Sequence, residues 1–330
     1  MVRYLAIRLA ASIAVLWAAF TIAFVILFLL PSDPVEIASS ADAGTPVDPA
    51  AIAELKARYG LDRSPLDQYL STLGNVLHGD LGQSITQGRP VTTVIAEALP
   101  GTVALTVTAT LIALMAGTSL AVAATSTRFG WLRRILLSLP PLVVALPTFW
   151  VGLILLQLFA FRLPLFPAFG ADAPGALVLP AVTLAIPYAG VFAQVLVTSM
   201  TRTATEPFVQ TAIAKGAGRL RVTTHHILRV SSLSVLTVTG VTVGNLLGGA
   251  VVVETVFSRP GVGKLVQSAV LAQDIPLVLG LVLGSALVFV VVNLIVDVAY
   301  SLIDPRVTTT PSSPAEKDAP LELSKEAQHV

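Results

Sequence analysis

The chain has 330 residues, of which 55% are hydrophobic and only 12% are charged, and its formal net charge is +1. Soluble domains carry about 25% charged residues, so this composition excludes an ordinary soluble domain and indicates an all-α polytopic membrane protein. The absence of cysteine excludes disulfides, thiolate nucleophiles and thiolate metal sites.

The first apolar run follows Arg3 and Arg8 and covers residues 9–30 without a charge. As a helix these 22 residues reach about 33 Å, enough to cross a hydrocarbon core of about 30 Å. The apolar core of a cleaved signal peptide is shorter, at about 7–15 residues. We therefore expect residues 1–30 to hold a cytosolic N-terminus and a retained first transmembrane helix.

Residues 31–97 differ in composition, because they hold nine acidic and four basic side chains. A first helix is predicted over residues 48–60, where Asp48 caps the start and Gly60 follows the end. A second helix is predicted over residues 64–79. A segment this long and acidic is expected outside the cell, so we predict an extracytoplasmic subdomain.

Residues 98–306 carry five further charge-poor runs, predicted to form a five-helix core. The runs cover residues 98–127, 135–161, 173–201, 230–253 and 275–296. Pro140, Pro141 and Pro147 are expected to kink the second of them. The tail over residues 307–330 is rich in Pro, Ser, Glu and Lys, and is expected to be a disordered cytosolic segment.

The distribution of Lys and Arg predicts the topology. If the chain alternates sides from a cytosolic N-terminus, the four cytosolic segments hold 13 of the 20 basic side chains. This bias agrees with the positive-inside rule. We therefore predict six transmembrane helices with both termini in the cytosol.

The most basic connection covers residues 201–230, with five Lys or Arg side chains against the single acid Glu206. Pro207 suits the first turn of a helix, and Gly216 and Gly218 are expected to end it. Four apolar side chains fall on one side of this helix: Phe208, Val209, Ala212 and Ile213. The residues leave two interpretations open, a docking helix for a soluble partner or a charged turn that only fixes topology.

Two candidate ligand sites fail on sequence. The stretch over residues 258–265 is the nearest to a phosphate-binding P-loop, but Ser258 replaces its first glycine and Leu265 its Ser/Thr. His225 and His226 are neighbours that do not share a helix face, so we interpret them as a solvated pair and not as metal ligands.

The predicted helices carry few polar side chains, mainly Gln157, Gln194 and Asn245. An ion-coupled transporter usually keeps charged residues inside its helices. The sequence therefore gives little support to a self-sufficient secondary transporter or channel, which is kept as the alternative function. A glycine stripe at four-residue spacing predicts close helix packing, and its members are Gly240, Gly244 and Gly248.

Several stretches resemble the permease subunits of binding-protein-dependent ABC importers, most closely the dipeptide, oligopeptide and nickel branch. Residues 208–229 resemble the EAA loop of that family, and further resemblance covers residues 59–91, 254–278 and 297–306. The glycine of the loop is present as Gly216. The sequence departs where the family has glutamate, at Gln210, and where it has proline at the start of the next helix, at Ser234.

This resemblance implies a type I importer transmembrane domain of the MetI-like fold in the plasma membrane of a prokaryote. The pathway would lie between this chain and a second, homologous permease. Two separate ATPase subunits would bind ATP and Mg²⁺, and an extracytoplasmic binding protein would deliver a peptide, nickel chelate, haem or another small solute. The chain itself would be non-catalytic, would bind no cofactor, metal or nucleic acid, and would contact lipid.

The resemblance also implies roles for particular residues. Residues 201–230 would couple the chain to the ATPases, through Phe208, Thr211, Ala212, Ile213, Lys215 and Gly216. Three residues are assigned to the translocation path: Gln194, Asn245 and Glu254.

Overall fold

A computed structural model describes residues 2–29 and 64–303, with side chains in 8–27 and 64–295. Apart from one isolated bridge between Gln83 and Pro90, these residues form helices and loops. The predicted helix over residues 48–60 and the predicted tail lie outside the described residues. The helices are α1 Val2–Leu29, α2 Pro65–Leu77, α3 Val91–Ser126, α4 Gly130–Ala145, α5 Thr148–Arg162, α6 Val178–Thr203, α7 Pro207–Ala214, α8 Arg219–Val256, α9 Val262–Leu271 and α10 Ile275–Ile303.

Five of the described helices are long and apolar enough to cross a membrane: α1, α3, α6, α8 and α10. The pair α4 and α5 makes a sixth crossing if it is counted as one span, although the two helices meet at an angle of 103°. The fold is therefore the all-α polytopic class that the sequence predicts. Helix α3 begins seven residues before the predicted run, at Val91, so it extends into the segment with acidic composition.

Of the three prolines expected to kink this stretch, only Pro147 interrupts the helix, between α4 and α5. Pro140 and Pro141 lie inside α4, whereas Leu146 has the extended angles φ −77° and ψ 131°. A residue before proline is pushed out of the helical region by contact with the proline ring. Pro147 therefore ends α4 and starts α5, and the predicted kink is concentrated at this point.

The core is built around α3 and α6. The face of α3 with Leu105, Ala109 and Ala113 is fully buried. A Cβ at Gly117 would lie 2.8 Å from the Ala189 carbonyl oxygen on α6, so only a residue without a side chain fits there. Small residues let two membrane helices approach closely and gain van der Waals contact. Helix α8 packs across both, with Leu246 fully buried in the same cluster.

Two glycines of α8, Gly244 of the stripe and the neighbouring Gly249, pack closely against other helices. A Cβ at Gly244 would lie 2.4 Å from the Phe289 ring on α10, and one at Gly249 would lie 2.9 Å from Leu184 on α6. Gly248 has nothing within 4 Å and faces outward. The prediction of close helix packing is confirmed at Gly244 and not at Gly248, and Gly249 beside the stripe makes the second close contact.

The two ends of the bundle are named by their short helices, the α7 end and the α9 end. Helix α3 runs from the α9 end to the α7 end, and α8 runs back. Phe20 and Ala23 near the end of α1 pack against Leu279 near the start of α10. Helix α1 is therefore antiparallel to α10, and the described chain starts and finishes at the α7 end.

A buried carboxylate holds the α9 end together. Glu254, in the last turn of α8, is 0% exposed. Its carboxylate accepts hydrogen bonds from the Thr102 hydroxyl on α3 (2.6 Å) and from the backbone N–H groups of Gly263 (2.7 Å) and Lys264 (3.1 Å). These N–H groups belong to the first turn of α9, which has no partners for them within the helix. One side chain thus joins three helices.

The approach of α9 to Glu254 requires glycine twice. A Cβ at Gly261 would lie 2.4 Å from the Glu254 carboxylate, and one at Gly263 would lie 2.4 Å from the Val251 Cα. Gly263, which matches the second glycine of a phosphate loop, therefore serves internal packing, and so does Gly261.

Asp274 forms a second buried carboxylate site at the same end. It is 0% exposed and precedes α10, where its Oδ1 accepts from the Leu277 N–H at 3.2 Å. Its Oδ2 accepts from the Ser84 hydroxyl (2.5 Å), the Thr86 N–H (3.0 Å) and the Thr86 hydroxyl (2.8 Å). The loop between α2 and α3 is thereby fixed to the start of α10.

We expect Glu254→Gln to destabilise the protein. Only one of the two side-chain oxygens remains as an acceptor, so either the Thr102 hydroxyl or the N–H groups of α9 lose their partner. Hydrogen bonds to charged groups contribute about 1.5–3 kcal/mol, so the apparent melting temperature in detergent should fall by several degrees. The matched control is Glu97→Gln, since Glu97 is exposed and pairs only at the surface with Arg89. Equal melting temperatures for the two variants would contradict the anchoring role.

Candidate functional site

The helix that the sequence predicts to begin at Pro207 is present as α7. Glu206 has extended angles at its N-terminus, and Pro207 occupies the first helical position. Val209 is 2% exposed, and Ala212 packs against the same hydrophobic cluster. This face rests on the first turns of α8, where Val222 and Ile227 are also buried. Helix α7 is therefore attached to the bundle by its central apolar face.

Two apolar side chains flank that face and are left uncovered. Phe208 is 42% exposed and Ile213 is 58% exposed. The sequence prediction placed Ala212 with them as a docking residue, but its side chain is turned toward the chain's own core. Periodicity showed that these residues share one broad side of the helix, but it could not show which part of that side the bundle covers.

Gly216 ends α7 as predicted. Its φ is +83°, in the left-handed region that favours glycine. Its N–H donates to the Ile213 carbonyl oxygen at 2.9 Å, and the Ala217 N–H donates to the Ala212 carbonyl oxygen at 3.2 Å. These two bonds form the Schellman arrangement that satisfies the last carbonyls of a helix. The direction in which the chain leaves α7 is therefore fixed by backbone geometry.

The remaining predicted contact residues are on the surface. Thr211 and Lys215 are exposed, and the Thr211 hydroxyl donates to the Pro207 carbonyl oxygen at 3.1 Å. Beyond Gly218 the chain enters α8 directly, so the last part of the basic connection and the next membrane run form one continuous helix. That helix contains a π-helical turn over Val222–Ile227.

Contacts that the sequence did not predict join this region to other helices. The Arg219 guanidinium donates to the Thr125 carbonyl oxygen near the end of α3, at 3.5 Å. The hydroxyls of Ser199 and Ser234 lie 3.1 Å apart, between α6 and α8. Ser234 stands where the family has proline, and here α8 continues through it without a break. The sequence signal for the contact between Arg219 and Thr125 was the basic side chain directly after Gly218.

The three predicted path residues differ in their surroundings. Gln194 on α6 and Asn245 on α8 are exposed on faces that the described part of the chain does not cover. The exposed face of α8 also carries Thr237 and Gly248. Glu254 is fully buried with its carboxylate occupied, so in this conformation it faces no open path. Its structural role could have been suspected from the two glycines that follow it.

Metal ligands are not clustered in the part of the chain that the structure describes, where no three His, Asp or Glu side chains come together. His225 and His226 are both exposed on the π-helical turn, in keeping with a solvated pair.

Two protein families match the chain. One is described as the inner membrane component of binding-protein-dependent transport systems and matches residues 109–309. The other is described as the N-terminal part of such membrane components and matches residues 1–106. Together they cover both the core and the segment that precedes it.

Individual relatives are similar over nearly their whole length. A protein of Brucella abortus, provisionally named a peptide transport system permease, is 34% identical over 308 residues, which is 91% of this chain and 97% of the relative. The glutathione transport system permease GsiC of Salmonella choleraesuis is 34% identical over 307 residues, which is 93% of this chain and 99% of the relative.

Among solved structures, the inward-facing MetNI methionine ABC transporter has a chain of similar fold. The TM-score is 0.51 at 16% identity, with 66% of this chain and 97% of that chain covered. This likeness confirms the predicted MetI-like fold, and the family matches confirm the resemblance found in the sequence. The chain belongs to the inner membrane components of binding-protein-dependent transport systems, and it is a permease subunit of an ABC importer of the peptide and nickel branch.

Proposed function

We propose that the chain forms one half of an ATP-driven import pathway for peptides or peptide-like solutes. A second, homologous permease forms the other half, and two separate ATPase subunits drive transport. The substrate class rests on relatives named for peptide and glutathione transport. Those names favour peptides over the nickel chelates and haem that the branch also allows.

The observation that carries the proposal is the geometry of α7. Phe208 and Ile213 are exposed on a short helix that is fixed by its buried face and by the turn at Gly216. Fully burying a Phe side chain is worth about 1.5–3 kcal/mol. A groove in an ATPase subunit would provide that burial, with Thr211 and Lys215 as polar contacts at its rim. Ala212 would support the helix from within the permease.

The polar faces of α6 and α8 supply the wall of the pathway in this proposal. Gln194 and Asn245 are exposed on membrane helices, and polar side chains are costly against lipid. We therefore assign these faces to the aqueous path or to the contact with the second permease. Glu254 is assigned a positioning role, since it holds α9 at the mouth of the pathway.

The chain is non-catalytic in this proposal, and ATP and Mg²⁺ bind only to the partner ATPases. The stretch nearest to a phosphate loop forms the connection from α8 to α9. Its Gly263 and Lys264 N–H groups, which would have to bind phosphate, already bind the Glu254 carboxylate. The α7 end, with both chain termini, lies in the cytosol, and the α9 end receives the binding protein.

We expect Phe208→Ala and Gly216→Val to uncouple ATP hydrolysis from uptake. The first removes an exposed anchor, which should weaken ATPase docking by about ten- to a hundredfold. The second forces a β-branched residue to φ +83° and redirects α7. The measurement is substrate uptake and binding-protein-stimulated ATPase activity in reconstituted vesicles.

The control for this pair is Phe129→Ala, the same change at another exposed Phe of the α7 end. It should leave uptake unchanged. Normal uptake by both α7 variants, at normal levels of assembled complex, would reduce α7 to a charged turn that only fixes topology.

The proposed orientation predicts a labelling pattern. Because the chain has no native cysteine, single cysteines report on their own positions. Gln87→Cys and Ser268→Cys, both exposed at the α9 end, should react with an impermeant maleimide in intact cells. Thr205→Cys and His226→Cys, exposed at the α7 end, should react only after the membrane is opened. The reverse pattern would invert the topology.

The pathway assignment predicts that Gln194→Leu and Asn245→Leu reduce uptake although they make the helices more apolar. A lipid-facing position would tolerate this change, whereas an aqueous path or a polar subunit contact would not. The matched control is Asn293→Leu on α10, whose amide bonds the Phe289 carbonyl oxygen of its own helix. Uptake equal to that of the control in both variants would remove these residues from the pathway.

A further inference from the structure

Helix α2 is amphipathic, and part of its apolar face is covered by membrane helices. Tyr69, Leu73 and Val76 pack into a cluster with Phe20 of α1 and Leu279 of α10. The Tyr69 ring lies 5.3 Å from the Phe20 ring and 5.4 Å from the Phe24 ring. Its hydroxyl is 2.9 Å from the Thr21 hydroxyl. Helix α2 is thus attached to the sides of α1 and α10.

These contacts show how deep α2 lies along the bundle. Thr21 is eight residues before the end of α1 at Leu29, and Leu283, in the same cluster, is eight residues into α10. At 1.5 Å per residue the Thr21–Tyr69 contact lies about 12 Å inside the end of α1, and Leu283 of the same cluster lies equally far inside α10. The apolar run of α1 continues to residue 30, so this depth is within the hydrocarbon.

A second strip of α2 is apolar and uncovered. Leu66, Leu70 and Leu77 are 67%, 56% and 78% exposed. Their spacing of four and eleven residues puts them within about 40° of one another around the helix. The strip adjoins the covered face, and the polar residues Ser71 and Asn75 lie on the opposite side.

The surroundings of the strip identify what covers it. At the depth of Tyr69, α1 itself exposes Ile22, Val25 and Ile26, and only 6% of its membrane-crossing stretch is buried within the chain. The leucines of α2, which is attached to α1 through Tyr69, are apolar and uncovered in the same way. Interfacial amphipathic helices bury their apolar face about 5–10 Å into the boundary between headgroups and acyl chains.

We propose that α2 is an interfacial helix embedded in the leaflet at the α9 end, and that Leu66, Leu70 and Leu77 contact lipid acyl chains. The polar side of α2, with Ser71 and Asn75, faces the headgroups. This part of the segment between α1 and α3 is then an attachment to the membrane and not a free soluble subdomain. The proposal does not depend on the substrate or on the coupling role of α7.

The test uses spin labels on single cysteines in the assembled complex, reconstituted in phosphatidylcholine and phosphatidylglycerol bilayers. Accessibility to oxygen, which concentrates among acyl chains, is compared with accessibility to an aqueous nickel chelate. Leu70→Cys should behave like the lipid-facing reference Ile22→Cys, with a several-fold higher ratio of oxygen to chelate accessibility than Ser71→Cys. Leu66→Cys repeats the measurement if the Leu70 variant fails to assemble.

Two results would overturn the proposal. Equal ratios at positions 70 and 71, both dominated by the chelate, would place α2 in an aqueous rim. An immobilised label at position 70 that neither reagent reaches would show that protein covers the strip, either the second permease or another segment of this chain.

Discussion

The carboxylate of Glu254 is the interaction on which the α9 end depends. It lies where α8 leaves the bundle, and it binds a hydroxyl of α3 and the first turn of α9 at once. Each donor would be costly to bury alone, and so would the charge, but together they satisfy one another. Gly261 and Gly263 leave the space that this contact needs. The bend from α8 into α9 is therefore specified by polar groups, as is the attachment of the loop between α2 and α3 to Asp274.

The α7 end is organised differently. There the fixed elements are backbone ones, the proline start and glycine end of α7, and the side chains divide between the bundle and the surface. Val209 and Ala212 hold the helix, while Phe208 and Ile213 remain outside. A docking helix must expose side chains to its partner and must also be held by its own bundle. A loosely held helix would absorb motion that an attached helix passes on to the membrane helices. The Arg219 contact with Thr125 extends that attachment to α3.

Hydropathy and the positions of Pro and Gly were sufficient to predict the order of the apolar helices and the start and end of α7, and the six predicted spans agree with the structure if the bent pair α4 and α5 is counted as one. They could not separate features that share a pattern. Ala212 and Phe208 share one side of α7, yet only one is covered. In the sequence Glu254 is only the first polar residue after the apolar run 230–253, whether it lines a path or accepts hydrogen bonds from the first turn of the next helix. The family has a proline where this chain has Ser234. The resemblance alone therefore could not show that α8 runs through this position without a break.

The π-helical turn at Val222–Ile227 sets the rotational register between α7 and the membrane part of α8. A π turn holds one residue more than an α-helical turn, which corresponds to a rotation of about 100° for everything beyond it. Val222, the first residue of the turn, packs in one buried cluster with Val209 of α7, and beyond the turn Val235 and Leu246 belong to the same cluster. Removing a single residue here would leave every helix intact but turn α7 away from its present direction. The length of this stretch is therefore as constrained as its composition, and insertions that the loop between α5 and α6 could absorb would misalign the two ends of the protein.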